Sequence, residues 1–486
     1  VTGDKATAVG SGALSLSTAG SNTACGAFAL YANTTGASNT AVGDGALTAN
    51  TTADNNVAVG YRALYVNTTG HSNIAVGNHA LDANTTAAYN VAMGYNASTA
   101  ATTGGENVAI GVAALEDNVS GTQSVAVGGY ALANDTTGGQ TAVGYKALLT
   151  NTTGDYLTAF GYNALELNTT ASSNSAFGYK ALEANTTGAD NTAVGSIALD
   201  ANTTGSDNTA VGKGALTENT TGASNTAVGQ NAADAITTGN YNTAIGRHAL
   251  SANSTTNANT AVGYNALLEC TASGNTAVGN IAMDSMTTGT ANTAVGDGAM
   301  HTLTTGQQNT AFGYFAGVGH LTATADNQGF FARNDSGAGN SATWLRGDSA
   351  GACFQGNNSS SWSTTSDRRI KKNIVDNTQG LEIINKIRVR NFEYRLPEEI
   401  DLSEFPLVTE GGLDATSVAI DQEGIQIGAI AQEYEEVLPD SVITDQFKGN
   451  KEIDTDSLIW HLVNSVQELS AQNEALEARL AALESK

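Results

Sequence analysis

The stretch NTAVGSIALDANTTG, residues 191–205, decides the fold. It recurs with small variations along most of a 486-residue chain. Its central glycine, Gly195, is one of nineteen equivalents running from Gly10 to Gly313. Fifteen of the eighteen intervals between them are 17 residues long. The other three, Gly10–Gly26, Gly128–Gly144 and Gly263–Gly279, are 16. A period this strict is not that of a disordered tract, and it is too short for helical-hairpin repeats. It fits one coil of a β-solenoid or β-roll. T-A-V supplies the small and β-branched residues of a short strand. Gly-x-x then turns the chain, A-L supplies a second apolar segment, and N-T-T-G closes the coil with turn residues. Coils stacked at the inter-strand spacing of about 4.8 Å would make a shaft of roughly 85 Å.

Each coil offers for burial one Val, Ile or Phe, one Leu or Met, and alanines. Stability must therefore come from stacking neighbours. A coil this thin is expected to need partner chains to complete its core, and small Ala and Gly at fixed phase suit a tight three-fold axis. The expectation is a mainly β protein: a trimeric β-roll or β-solenoid shaft of 17-residue repeats, then a small α+β domain ending in a coiled coil.

Several residue types invite a chemical reading that the repeat removes. The N-T-T triplets match the N-x-[ST] acceptor pattern, but they fall at the turn phase of nearly every coil, which assigns them to an Asn ladder or a turn role. The six histidines (His71, His79, His248, His301, His320, His461) are scattered without metal spacing and are expected at the solvent surface. The three cysteines (Cys25, Cys270, Cys353) form no CxxC or disulfide pattern and read as small buried residues. Carboxylates are dispersed, with no pair placed as a glycosidase acid and nucleophile, and no GGxGxD-type calcium repeat occurs. No metal and no cofactor are expected.

The net charge is −26, a field that repels phosphate backbones, so no nucleic-acid partner is expected. Residues 1–486 read as containing no signal peptide and no apolar run near 18 residues, so no membrane insertion is expected. The chain starts with Val rather than Met, so an attachment domain upstream of it would not be visible in this sequence. Composition shifts near residue 366: eight of the twenty Lys and Arg precede that point, and all three prolines follow it. The domains read as a repeat shaft, 1–316; a β transition segment, 317–363, that breaks the period and carries Phe330, Phe331, Trp344, Phe354 and Trp362; a third domain, 364–455; and a C-terminal coiled coil, 456–486.

At the start of the third domain, TTSDRRIKKNI (364–374) places a serine, an aspartate and four basic residues within seven positions. This S-D-x-R-x-K-x-N-I pattern is followed by IGAIAQEYEEVLPD (427–440) and a terminal helix. The arrangement resembles the C-terminal intramolecular chaperone of phage endosialidase tailspikes and many tail fibres, a module also found in the myelin regulatory factor. The N-T-A-V-G repeats in turn resemble the head repeats of trimeric autotransporter adhesins and the shafts of phage tail fibres. The first resemblance implies a trimerising chaperone that releases itself through a Ser–Lys dyad, with Ser366 as nucleophile and Lys371 as base. That chemistry is reasonable: a serine hydroxyl is inert without a base, and a lysine becomes one when burial or neighbouring cations lower its pKa. Arg368, Arg369 and Lys372 are such cations. The cleavage site comprises Thr365, Ser366 and Asp367. Attack in cis on the Thr365 carbonyl passes through a five-membered ring, which prefers the bond before the serine; the resemblance implies the bond after it.

In the last segment Ile459, Leu462, Val466, Leu469, Asn473, Leu476, Leu480 and Leu483 step alternately by three and four, an a/d seam over nearly four heptads. These are the expected trimerisation residues, with Asn473 at an a position as a register device. The resulting expectation is a homotrimeric virion tail fibre that adheres to a host. Its partners would be itself, a cell-surface receptor (a glycan or an outer-surface protein) and an upstream virion attachment protein. Its one catalytic activity would be single-turnover serine endopeptidase self-cleavage. The alternatives are a bacterial surface adhesin, extracellular or at the cell surface, and a glycan-degrading tailspike.

Overall fold

The computed structural model describes residues 5–318, 323–332, 343–347, 353–355, 374–377, 379–405, 415, 424–444, 451–453 and 456–485. The chain divides into two compact units, Val1–Trp362 and Ser363–Lys486.

The first unit is a parallel β-solenoid. Nineteen three-residue strands run from β1 (Thr7–Val9) to β19 (Thr310–Phe312), one per coil. Each pairs in register with the next, so that Thr192, Ala193 and Val194 lie opposite Thr209, Ala210 and Val211. A twentieth parallel strand, β20 (Gly329–Ala332), joins β19. The sheet then continues in antiparallel sense through β21 (Thr343–Gly347) and β22 (Cys353–Gln355). The three 16-residue coils keep the register: Thr7 faces Thr23, Val125 faces Thr141, and Thr260 faces Thr276.

Strand side chains alternate between faces, and here the alternation places the middle alanine inside. Ala193 and Ala210 are fully buried, as are Leu199 and Leu216 of the A-L pairs. The flanking residues point outward; Val194 is 39 % exposed and Phe177 40 %. Two expectations are thereby corrected. The Val, Ile or Phe of each strand is an outer-surface residue. And the coil does not need partner chains to complete its core, because alanine lets its walls approach until one chain fills its own interior. Cys25 also departs from expectation: it occupies the outward third position of its strand and is exposed, whereas Cys270 is buried.

The turns are held in uncommon conformations. Ile197, Leu199 and Asp207 of one coil have φ of 54°, 52° and 61°, a left-handed region that costs a non-glycine residue about 1–2 kcal/mol. Burial of the Leu199 side chain and the bond from its N–H to Ala215 O (3.0 Å) offset that cost. The central glycine has no substitute. Gly195 has φ 141°, and a Cβ there would lie 2.4 Å from the carbonyl oxygen of Gly212 in the next coil.

Asparagine satisfies the interior. In the N-T-T column the Asn202 side-chain amide donates to Asn185 Oδ1 (2.8 Å) and to Gly205 O (3.0 Å). In the N-T-A-V column the Asn208 backbone N–H donates to Asn191 Oδ1 (3.0 Å), and its side-chain amide donates to Gly222 O (2.8 Å). The ladder role read from the triplets is therefore present, and the second asparagine column doubles it.

The N-T-T column is interrupted between residues 84 and 151, and again beyond Asn219, where buried Ile236, Cys270, Met286 and Leu303 take the asparagine phase. Ala101 takes an asparagine position and Ser98 a leucine position, both buried, while the backbone bonds Leu81 N–H to Ala97 O (3.1 Å) and Ser98 N–H to Ala114 O (2.8 Å) keep the stack in register. Two coils on, Asp135 replaces asparagine. It accepts from Asn151 Nδ2 (2.8 Å) and Thr137 Oγ1 (3.0 Å), but its Oδ2 and both amide atoms of Asn118 have no partner. A carboxylate cannot donate back along the column, and burial pushes the Asp135 carboxyl above its ordinary pKa against the lowering effect of its donors Thr137 and Asn151.

The second unit is a small α+β assembly. It holds α1 (Leu381–Ile384), the antiparallel pair β23 (Arg390–Phe392) and β24 (Gln426–Gly428), α2 (Ala431–Glu435), the antiparallel pair β25 (Val442–Thr444) and β26 (Lys451–Ile453), and the long helix α3 (Asp456–Glu484).

Two measurements test the packing of the shaft. Gly212→Ala forces a Cβ onto a neighbouring carbonyl in a backbone region that disfavours it; a loss on the order of 2 kcal/mol or more is expected, read as a lower thermal midpoint by circular dichroism. Asp135→Asn restores a donor to the column. The native carboxyl, with its folded pKa raised, contributes fully below about 3.8 and loses that contribution as pH rises through the folded value. The variant should therefore gain over the parent as pH rises from 4 to 7. A constant difference across that range would refute the buried-acid assignment.

Candidate functional site

The candidate site lies in the second unit. Thr365, Ser366, Asp367, Arg368, Arg369, Lys371 and Lys372 lie outside the described residues, so the proposed dyad is placed by sequence alone. A few residues beyond it, the chain around Asn377, Gln379, Gly380 and Leu381 docks on α3.

The docking is polar and directed at backbone. His461 Nδ1 lies 2.8 Å from Gln379 O and serves as donor in that tautomer. Asn464 Nδ2 donates to Asn377 O (2.8 Å) and Gln379 O (3.2 Å). Glu468 Oε2 accepts from the Leu381 N–H (3.0 Å) at the start of α1. Ser465 Oγ donates within the helix to His461 O (2.7 Å). Gly380 fits the contact: a Cβ would lie 2.8 Å from the backbone carbon of Asn464. His461 is only 6 % exposed, which corrects the surface placement expected of this one histidine. The apolar seam dominates the pattern of this helix and hides the polar face from a reading of periodicity alone. A signal is nonetheless present in residues 461, 464, 465 and 468, which share one helical face by spacing.

The seam lies on a different face and has no partner among the described residues. Ile459, Leu462, Val466, Leu469, Leu476, Leu480 and Leu483 are all exposed, Val466 at 65 %. Asn473 is exposed among them. The helix thus carries an intramolecular polar face and an unused apolar one.

The block 427–440 contributes to β24, α2 and the turn after α2. Ile427 pairs with Asn391 across the β23–β24 ladder. Arg390 grips Glu433 through two bonds, Nε to Oε2 (3.0 Å) and Nη2 to Oε1 (2.7 Å). This holds the Glu433 carboxyl below its ordinary pKa through the Arg390 hydrogen bond. Lys451 pairs with Glu435, tying β26 to α2. Tyr434 is buried. These contacts build a scaffold, and among the described residues they gather no second constellation of catalytic groups. Among the described residues, too, no cluster of three or more His, Cys, Asp or Glu side chains is arranged to hold a metal, and no helix is long and apolar enough to cross a membrane.

Comparison with known proteins adds one match. Residues 366–443 fit the family described as chaperone of endosialidase, and the match begins at Ser366. No curated protein and no solved structure matches the chain. The C-terminal region of this chain is thus similar to the endosialidase-type intramolecular chaperone, and it follows a β-solenoid of 17-residue coils.

Proposed function

We propose that the chain is a homotrimeric phage tail fibre whose C-terminal chaperone directs assembly and then cuts itself off beside Ser366. The observation that carries this reading is the family match that starts at Ser366.

The chemistry assigned to the cut is acyl transfer. Neutral Lys371 takes the proton of the Ser366 hydroxyl, and the oxygen attacks a carbonyl flanking the serine. The amide nitrogen leaves with a proton, and water hydrolyses the ester that remains. Arg368, Arg369 and Lys372 favour the neutral form of the lysine by charge repulsion.

Two apolar surfaces support self-association. One is the seam of α3. The other is the line of outward third-position strand residues, among them Val42, Met93, Ile110, Phe160, Phe177, Val194, Ile245 and Phe312, all exposed. They form an unbroken apolar row, in which Phe160 and Phe177 stack with centroids 5.3 Å apart. Monomeric proteins rarely expose a continuous apolar patch of more than a few hundred Å². A partner that matches such a row step by step must share its rise per coil, as another copy of the same solenoid does.

The chaperone has a physical task even though each coil fills its own interior. Nearly identical coils satisfy one another equally well in many alignments, and long parallel β-assemblies nucleate slowly. Association at α3 supplies a fixed end from which coils pair. Loss of the chaperone afterwards removes that nucleus, so the shaft resists unfolding kinetically. The assembled shaft is assigned to the virion, joined to an upstream attachment protein and binding a glycan or protein on the host surface.

Expression beside Ser366→Ala tests the cut. A fragment of about 120 residues, the length of chain beyond Ser366, should leave only the unmutated chain on denaturing gels. The first residue of that fragment, Ser366 or Asp367, identifies the bond. Val466→Asp with Leu469→Asp tests the seam: sedimentation should find a single subunit in place of three and an uncut chain. An intact trimer in that double variant defeats the role given to α3.

A further inference from the structure

We infer that the polar face of α3 is a clamp that couples helix association to cleavage, with Asn464, His461 and Gly380 as positioning residues. The inference rests on the self-cleavage reading and names its control.

The clamp bonds go to the main chain of the docked segment: the carbonyls of Asn377 and Gln379 are held by Asn464 and His461, and the N–H of Leu381 is held by Glu468. Backbone recognition of this kind fixes where a chain runs, whatever its side chains. Gly380 admits only a bare backbone against the helix, since a Cβ there would meet the main chain of Asn464 and Ser465 at 2.8 Å. The clamp therefore defines one docked path for the segment leading away from the cut. Lys371 is six residues before Asn377, so it is leashed within about 20 Å of that anchor. The anchor sits on the same helical stretch, 461–468, whose other face presents Leu462 and Val466.

A helix that holds the segment on one face and offers its seam on another converts association into placement. When seams pair, the N-terminal half of α3 takes a fixed position, and so does the docked segment whose anchor, Asn377, lies six residues after Lys371. Without pairing the segment remains bound to its own helix but has no fixed relation to other copies. Cleavage then follows assembly, as a step that commits a register should.

The test uses the full-length chain, with oligomeric state from sedimentation and cut fraction against time from denaturing gels. Asn464→Asp keeps the shape and removes the N–H donors. It should leave the oligomer intact and slow cleavage at least tenfold. His461→Gln keeps a donor and should cut near the parental rate, whereas His461→Leu should be slow. Gly380→Ala is an independent steric disruption with the same expected signature. Oligomers of Asn464→Asp and Gly380→Ala that cut at the parental rate would overturn the inference. So would variants that lose association and cutting together, since the face would then serve only the fold. A parental chain that never cuts would instead reject self-cleavage itself, and the coupling with it.

Discussion

Each coil of the solenoid is closed only when the next coil answers its polar groups. A turn of this tightness buries carbonyls and N–H groups that no water reaches, and leaving one unpaired costs about 1–3 kcal/mol. The two asparagine columns meet that demand by reaching along the stack, one through side-chain amides such as Asn202 to Asn185, the other by bridging backbone such as Asn208 to Asn191 and Gly222. The rest depends on this bonding. The glycine column permits coils to approach closely enough for these bonds, and alanine inside the strand keeps the interior narrow enough for the amides to span it. Leucine fills the remaining space while accepting a left-handed backbone.

Much of the shaft is legible in the sequence because the constraint repeats. The 17-residue period sets coil, strand and turn, and the phase of N-T-T identifies a ladder. The direction of the strand side chains is not legible in the same way. T-A-V suggests burial of its largest residue, which is sound where a core is roomy. Here the backbone walls are so near that only Ala193 and its equivalents fit, and Val194 is turned out. That reversal also explains why a coil that looks too thin to fill itself does so. The second unit is legible as blocks and a seam, since heptad spacing survives without context. The polar clamp is not, because His461 and Asn464 acquire meaning only once a segment 82 and 87 residues away in sequence is seen to dock there.

The two units thus solve opposite problems. The shaft has one interaction repeated until it becomes strong, and local identity makes alignment ambiguous. The C-terminal unit has few repeated contacts, with singular pairs such as Arg390–Glu433 and Lys451–Glu435, and it is specific. Were copies of the chain to associate through the C-terminal unit first, as proposed, that specific part would determine where the ambiguous part begins to align. This division also accounts for the charge pattern: the shaft needs few ion pairs because amides do the joining, while the small unit draws on the arginines and lysines concentrated there.

The three short coils give the shaft something its monotony otherwise lacks. Six full coils separate Gly26 from Gly128, and seven separate Gly144 from Gly263. The spacings differ, so they act as the unequal marks of a vernier. If two shafts lie side by side and one slides by any whole number of coils, no more than one short coil can coincide with a short coil on its neighbour. Only zero displacement brings all three marks level. A solenoid built from near-copies therefore carries its own ruler, engraved by the omission of one residue in three places.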